Sequence, residues 1–318
     1  MEHLDGGQGD RLRPIRTSEI LAADPWSVPE RDDGLARIRR GFYVDSRGLE
    51  SATPESRYCA RIAAVAAARD HPTFALESAL ALHGVPFGED PALVFTAGDT
   101  RTAGKKAGVS HSRGELDPGD VTHVGGLLVC SLPYALADVA RRRDPLVAVA
   151  AIDNALRSGA VQREALLEAL DRQGRRGRAA ATWAIGFADA AAESVGESYS
   201  RVRIHQLGFA PPQLQPWVTG RSGKRYRPDM RWEFAERRPL LGEFDGMVKY
   251  GELADREGRK GAQALAVEKA REDDLRFAAD MLRWVWADVM QPARLERLLL
   301  AHAVPRLRPA SPALRSLR

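Results

Sequence analysis

The segment that most constrains this chain is Arg227-Pro228-Asp229, followed by Gly242-Glu243-Phe244-Asp245-Gly246 and then Lys249-Tyr250. It reads as two adjacent short strands. Side chains two residues apart on a strand share a face, so Glu243 and Asp245 project together, and Lys249 keeps their parity if the strand runs that far. With Asp229 on the neighbouring strand, three carboxylates fall on one small patch. Two such charges about 4 Å apart repel by about 4 kcal/mol at an effective dielectric of about 20. A fold that keeps them together needs a cation or a displaced pKa, and an oxygen-rich site of this kind suits a hard divalent ion such as Mg2+. A fourth carboxylate, Glu197, lies upstream on an expected helix that opens at Ser194-Val195-Gly196-Glu197. Ser194-x-x-Glu197 is also a capping-box pattern, so Glu197 reads as a cap, a site residue or both.

The 318 residues leave room for two or three domains, and 44% hydrophobic with 28% charged residues is the balance of a soluble globular protein. No apolar run approaches a membrane span of about 20 residues. The opening MEHLDGGQGDRLRP has no apolar signal core, so the expected location is the cytoplasm, with no membrane partner. Cys59 and Cys130 cannot form a zinc site unaided and read as reduced, buried small hydrophobes. A net charge of +4 and a pI of about 9.2 permit a nucleic-acid partner without requiring one.

Along the chain, residues 1–13 hold Gly6, Gly7 and Gly9 and little to bury, and are expected to be disordered. Residues 14–50 read as a small winged-helix-like module: a short helix at Ser18–Ala23, a second helical piece at Glu30–Ile38, a basic turn and a strand at Gly41–Val44. Residues 51–175 read as an α/β middle domain. It has helices at 57–69 and 74–83, strands at 94–98 and 108–113, a hairpin at 121–131 turning on Gly125-Gly126, and helices at 133–142, 145–157 and 162–172. The basic, glycine-punctuated GRRGR at 174–178 marks a boundary. Beyond it, helices are expected at 179–191 and from Ser194 to about Gln206. Strands follow at Gln213–Val218, Tyr226–Trp232 and Leu240–Phe244, then a charged helix at Ala264–Phe277, a strand at Leu282–Ala287 carrying Trp284 and Trp286, and a last helix at Ala293–Ala301. The Pro- and Arg-rich residues 304–318 read as a mobile tail. The fold class is α/β, as a mixed α+β chain. Glu268, Lys269, Arg271, Glu272 and Asp273 read either as a ladder of exposed ion pairs or as charges turned to the acidic patch or to a DNA backbone.

The order of a helix with Glu197, a strand with Asp229, a strand with Glu243, then helix, strand and helix resembles the PD-(D/E)XK nuclease superfamily, whose core is a mixed sheet flanked by helices. Pro228-Asp229 matches that motif literally, and Glu243-Phe244-Asp245 matches except that Asp245 stands where the superfamily has lysine. The branch resembling the very-short-patch-repair endonucleases reads (D/E)-x-D-G here, and a residue a few positions on takes the polar role. In this chain that would be Lys249, with Lys269 as a second candidate. The resemblance implies a catalytic set of Glu197, Asp229, Glu243, Asp245 and Lys249, with Asp229, Glu243 and Asp245 as ligands of Mg2+ or Mn2+. A bound cation would polarise the phosphoryl group and lower the pKa of its water, and Lys249 would orient the nucleophile or stabilise developing charge.

Over about residues 15–300 the chain is similar to a family of actinobacterial proteins with an N-terminal domain like the AbiEi antitoxins of type IV toxin–antitoxin systems and a C-terminal endonuclease-like domain. The matching motifs are RRGFYV, SALALHGVP, LPYALADVAR, AIDNAL, ESVGESYSRVRI, RPDMRW, GEFDGMVKYG and EKAREDDLR with WVWADV. This implies a winged-helix DNA-binding front with Arg37, Arg39 and Arg40 near the wing, and a nuclease-like core at 178–303. The functional expectation is a Mg2+-dependent endodeoxyribonuclease acting in defence or DNA repair, with DNA as partner. The alternative is a non-catalytic DNA-binding regulator or antitoxin whose nuclease fold is degenerate.

Overall fold

Two units, Met1–Phe187 and Ala188–Arg318, divide the chain. The computed structural model describes residues 12–99, 103–246 and 267–311; Lys249 lies outside them. The class is mixed α+β, as expected from the sequence. No helix among the described residues is long and apolar enough to cross a membrane.

The first unit opens with β1 (Ile15–Arg16), α1 (Thr17–Ala23), β2 (Leu35–Arg39) and β3 (Phe42–Asp45), an antiparallel sheet in the order β1-β3-β2. The helix expected at 30–38 is not formed. A 3-10 turn at Pro29–Arg31 is followed by β2, which folds back on β3 through Gly41 at φ 79°. So short a helix cannot repay its own nucleation, whereas pairing with β3 satisfies the same backbone groups. Helix α2 (Ser46–Ser51) is capped by the Asp45 carboxylate, which accepts from Gly48 N. Helix α3 (Pro54–Ala68) is capped by Thr53, with a proline in its first turn.

The rest of this unit is a six-stranded mixed sheet of β4 (Thr73–Phe74), β5 (Val94–Gly98), β6 (Gly104–Lys106), β7 (Val109–Arg113), β8 (Val121–Val124) and β9 (Leu127–Cys130), ordered β6-β7-β5-β4-β9-β8. With it go α4 (Leu76–Leu82), α5 (Leu132–Arg142), α6 (Pro145–Arg157), α7 (Arg163–Asp171) and α8 (Arg178–Phe187). The sequence places a boundary near residue 178, but α8 packs against α5, α6 and α7 through Ala181, Ala184 and Ile185 and belongs to the first unit.

The second unit comprises α9 (Val195–Gln206), β10 (Gln213–Leu214), β11 (Val218–Thr219), β12 (Arg225–Tyr226), β13 (Met230–Trp232), β14 (Leu240–Asp245), α10 (267–278), β15 (Asp280–Val285), α11 (Trp286–Met290) and α12 (Pro292–Ala301). Its four-stranded sheet runs β10-β13-β14-β15, antiparallel except for the parallel β14–β15 pair. Two strands expected to be continuous are split. Gln215 at φ 47° and Pro216 divide β10 from β11, and Pro228, which has no N–H to give a ladder, divides β12 from β13. Strands β11 and β12 form their own hairpin. Trp286, expected on the last strand, instead opens α11.

Two glycines let this core close. A Cβ on Gly242 would lie 2.7 Å from the Trp284 ring and 2.9 Å from that of Trp232. One on Gly196 would lie 1.9 Å from the Phe244 ring, so only glycine lets α9 lie directly on β14.

Candidate active site

Alternation along β14 sets the site. Phe244 turns to α9 and meets Trp286 edge-on at 5.1 Å. Glu243 and Asp245, of opposite parity, line a cleft of about 320 Å3 together with Asp229, Phe244, Glu268, Arg271 and Arg283. The three acids read from the sequence as sharing a patch therefore do line one cleft.

Asp229 sits one step before β13. The register of β13 with β14 ends at Met230↔Gly242, and Asp229 Oδ2 accepts the next free N–H of β14, that of Phe244, at 2.8 Å. Burial pushes its carboxyl up to about 6. The Phe244 N–H pulls down, Glu197 and Glu243 push further up, and Arg271 pulls down. Asp229 is thus a carboxyl that burial, more than its charged neighbours, makes costly to ionise.

Glu243 is 9% exposed, and two arginines grip it. Arg271 Nη2 on α10 donates to its Oε1, and Arg283 Nη2 on β15 lies 3.0 Å from its Oε2. Glu268 joins the same cluster, accepting from Arg271 Nη1 at 3.0 Å and from Arg283 Nη2. Burial works against both guanidinium charges, but the acids outweigh it and hold both pKa values above the ordinary arginine value. Among the described residues, no hydrogen bond or ion pair engages Asp245.

Glu197 is 4% exposed at the start of α9. Its N–H is accepted by Ser194 Oγ at 3.1 Å, while its Oε2 accepts from Glu193 N at 3.0 Å and from Gln215 Nε2 at 2.9 Å. Ser194 caps the helix, while the Glu197 carboxylate reaches back to Glu193, one residue before the cap, and lies near enough to Asp229 to raise its pKa without lining the cleft.

Three participants were not singled out from the sequence. Gln215 donates its backbone N–H to Asp229 O at 2.9 Å and its amide to Glu197, and its Oε1 accepts from Arg227 Nε at 2.9 Å. No spacing marks it. Arg271 belongs to the charged run that the sequence leaves open between an exposed ladder and a face turned to the acids, and the structure turns it to Glu243. Arg283 did carry a signal: it lies between buried Leu282 and Trp284 and is registered opposite Glu243, so strand parity turns it to the acids. By contrast Lys269 is exposed on α10 and does not line the cleft. Arg37 and Arg40 are exposed in the first unit, whereas Arg39 is half-buried, its pKa lowered by burial and by Arg69.

Among the described residues no group of three or more His, Cys, Asp or Glu side chains stands ready to hold a metal ion. The arginine grip on Glu243 accounts for this in part. Magnesium does not need three carboxylates: it keeps several waters and is held by one or two carboxylates plus substrate phosphate. Asp229 and Asp245 supply two hard oxygen donors on one cleft, one of them buried so that its ionised form is costly without a cation, and that set fits such an ion.

No family model matches the chain. Over 110 residues it is 36% identical to Uncharacterized protein MT2308 of Mycobacterium tuberculosis (strain CDC 1551) and, equally, to Uncharacterized protein Rv2248 of Mycobacterium tuberculosis (strain H37Rv). The alignment takes in 34% of this chain and 41% of each relative, so the chain spans about two fifths of the length of the curated relatives it matches. Among solved structures, the crystal structure of RV2827C protein from Mycobacterium tuberculosis is similar over 58% of this chain and 75% of that one, with a TM-score of 0.36 and 13% identity.

Proposed function

We propose that the second unit is a metal-dependent DNA endonuclease of the PD-(D/E)XK type, joined to an antitoxin-like DNA-binding N-terminal region and acting in the cytoplasm in defence or DNA repair. One observation carries the reading: Asp229, Glu243 and Asp245 line a single cleft with two guanidinium groups, where burial makes the Asp229 carboxylate costly to ionise without a cation. Asp229 and Asp245 would hold Mg2+ or Mn2+. When bound, that ion polarises the phosphoryl group and lowers the pKa of its water.

The remaining work falls to side chains of this chain. Arg271 and Arg283 present planar forks suited to phosphate oxygens and would take the charge-stabilising part that the superfamily gives to the lysine replaced here by Asp245. Glu243 and Glu268 hold those forks in place before substrate arrives, so little reorganisation is left for the reaction itself. Glu197 and Gln215 fix the segment that carries Asp229. Lys249 retains its expected role as an orienting cation in this proposal.

A second reading, a non-catalytic DNA-binding regulator with a degenerate nuclease fold, has one observation in its favour. Glu243, expected as a metal ligand, is engaged by two arginines. Incubation of supercoiled plasmid with Mg2+ or Mn2+ separates the two. The nuclease reading expects wild type to nick or linearise the plasmid and Asp229→Ala to leave it intact. Equal activity in both proteins, or none in wild type with either ion, favours the regulator.

A further inference from the structure

We propose that the β11–β12 hairpin is a docking platform for an unpaired DNA strand, with Trp217 as its stacking surface and Arg221, Lys224 and Arg225 as its phosphate contacts. The inference rests on the nuclease reading for the role of that strand as substrate, and deepens it by naming the substrate's form.

The two faces of the hairpin differ sharply. On the inner face, Val218 packs with Leu241, Leu275 and Ala279. Tyr226 packs against the same cluster, and its hydroxyl donates to Asp274 Oδ2 on α10 at 2.9 Å. Asp274 also accepts from Ser222 N at 2.7 Å and from Ser222 Oγ at 2.6 Å. The turn is thereby fixed to α10 from one side, with Gly223 at φ 83° closing it.

The outer face holds what the inner face does not need. Trp217 is 57% exposed, with the Arg225 guanidinium 4.7 Å from its ring centroid. Phe277, near the end of α10, is 65% exposed under Arg221 at 5.4 Å. Two exposed aromatic rings are thus each accompanied by an arginine of the hairpin. Arg221, Lys224 and Arg225 form no ion pair among the described residues, whereas Arg227, next along the chain from Tyr226, is paired with Glu193. Unpaired cations beside an exposed indole suit a polyanion with exposed bases: every base offers a face to stack on, and arginine adds cation–π attraction.

The platform also leads to the cleft. Gln215, two residues before Trp217, donates to Asp229 O, and Arg227 donates to Gln215. The segments that lead into and out of the hairpin are thus tied to the one that carries Asp229. Duplex DNA cannot stack its paired bases on Trp217, so the platform favours single-stranded segments and tolerates any sequence.

The test is fluorescence anisotropy of a labelled 15-nucleotide oligodeoxythymidylate with the full chain in EDTA, where no cleavage occurs. Trp217→Ala is expected to bind about five- to a hundredfold more weakly, the range of one lost base stack, and Trp217→Phe to stay near wild type. Arg225→Ala is expected to lower the slope of log affinity against log salt by about 0.7, the single-strand value for one phosphate contact. Circular dichroism unchanged from wild type shows that Trp217→Ala has folded; if it has not, the Trp217→Phe and Arg225→Ala comparison decides alone. Equal binding by wild type and a folded Trp217→Ala overturns the platform, as does a Trp217→Ala loss of affinity for a 15-base-pair duplex as large as its loss for the oligothymidylate. Tighter binding of oligouridylate overturns the assignment to DNA. Plasmid cleavage with undiminished oligonucleotide binding by Trp217→Ala removes the platform and leaves the nuclease. Trp217-dependent binding with no cleavage removes the nuclease and leaves the platform.

Discussion

Three buried acids of the first unit and the acids of the second unit's cleft are held in different ways. In the first, Glu77, Asp120 and Asp138 are each matched by arginine. Glu77 takes both forks of Arg143, with Nη2 to Oε2 at 2.9 Å, and Asp120 takes Arg172 with Nη2 to Oδ1 at 2.7 Å. Asp138 accepts from Arg142 Nε at 2.7 Å, with Arg141 at 3.4 Å. The hydrogen bonds to Glu77 and Asp120 hold Arg143 and Arg172 above the ordinary arginine value. In the second unit the cleft gathers, among the described residues, Asp229, Glu243, Asp245 and Glu268 with Arg271 and Arg283, Glu197 lies close by, and burial pushes Asp229 up to about 6. Matched pairs hold a fold in one arrangement. A buried carboxylate held ionised costs stability, and the cost is relieved by a proton or by a cation that arrives.

The contrast breaks most visibly in the first unit. Glu77→Ala leaves Arg143 without its partner and is expected to destabilise the protein by about 3–5 kcal/mol in urea denaturation; an unchanged midpoint would mean that the pairing there is not structural.

The second unit is expected to respond with the opposite sign. Native Asp229 binds its proton more tightly than the ordinary 3.8, up to about 6. Wild-type stability therefore falls as pH rises between about 4 and 6, and the penalty is fully present above that window. Asp229→Asn keeps an acceptor for Phe244 N and removes the charge. It is expected to stabilise by up to about 3 kcal/mol at pH 8, with the gain disappearing below pH 4. A stability profile parallel to wild type across that range would show that ionising Asp229 costs no stability.

The smallest effect is expected at Arg276, whose side chain is 58% exposed beside Glu272. Arg276→Ala should cost about 0.5 kcal/mol, lessening with salt. A larger loss would place α10's outer charges among the structural pairs.

How much of this could be read from the chain depended on how local each determinant was. The hairpin at Val121–Cys130 carries its own turn in Gly125-Gly126, both at positive φ. Helix α9 carries its cap in Ser194, and β14 its alternation, so the convergence of Glu197, Asp229 and Glu243 was legible from parity and element order. What failed was set by pairing and packing that no residue pattern announces, some of it local and some of it distant in sequence. Strand β2 looks helical until β3 pairs with it. Trp286 leaves the strand because α11 begins there, with Asp288 accepting from Val285 N at 3.0 Å. Gln215 earns its place only through a left-handed backbone and three contacts on other segments. The lysine sought for the acidic motif was looked for along the chain at Lys249 and Lys269, while the cations that face the acids come from the parity of β15 and the inner face of α10.

The central claim, that the acidic cleft of the second unit binds a divalent cation through Asp229, is tested most directly by calorimetric titration of Mn2+ into the full chain at pH 8, wild type beside Asp229→Asn. The account predicts saturable uptake of Mn2+ by wild type and its loss in Asp229→Asn while that variant remains folded. Indistinguishable isotherms, or no uptake by either protein, would contradict it.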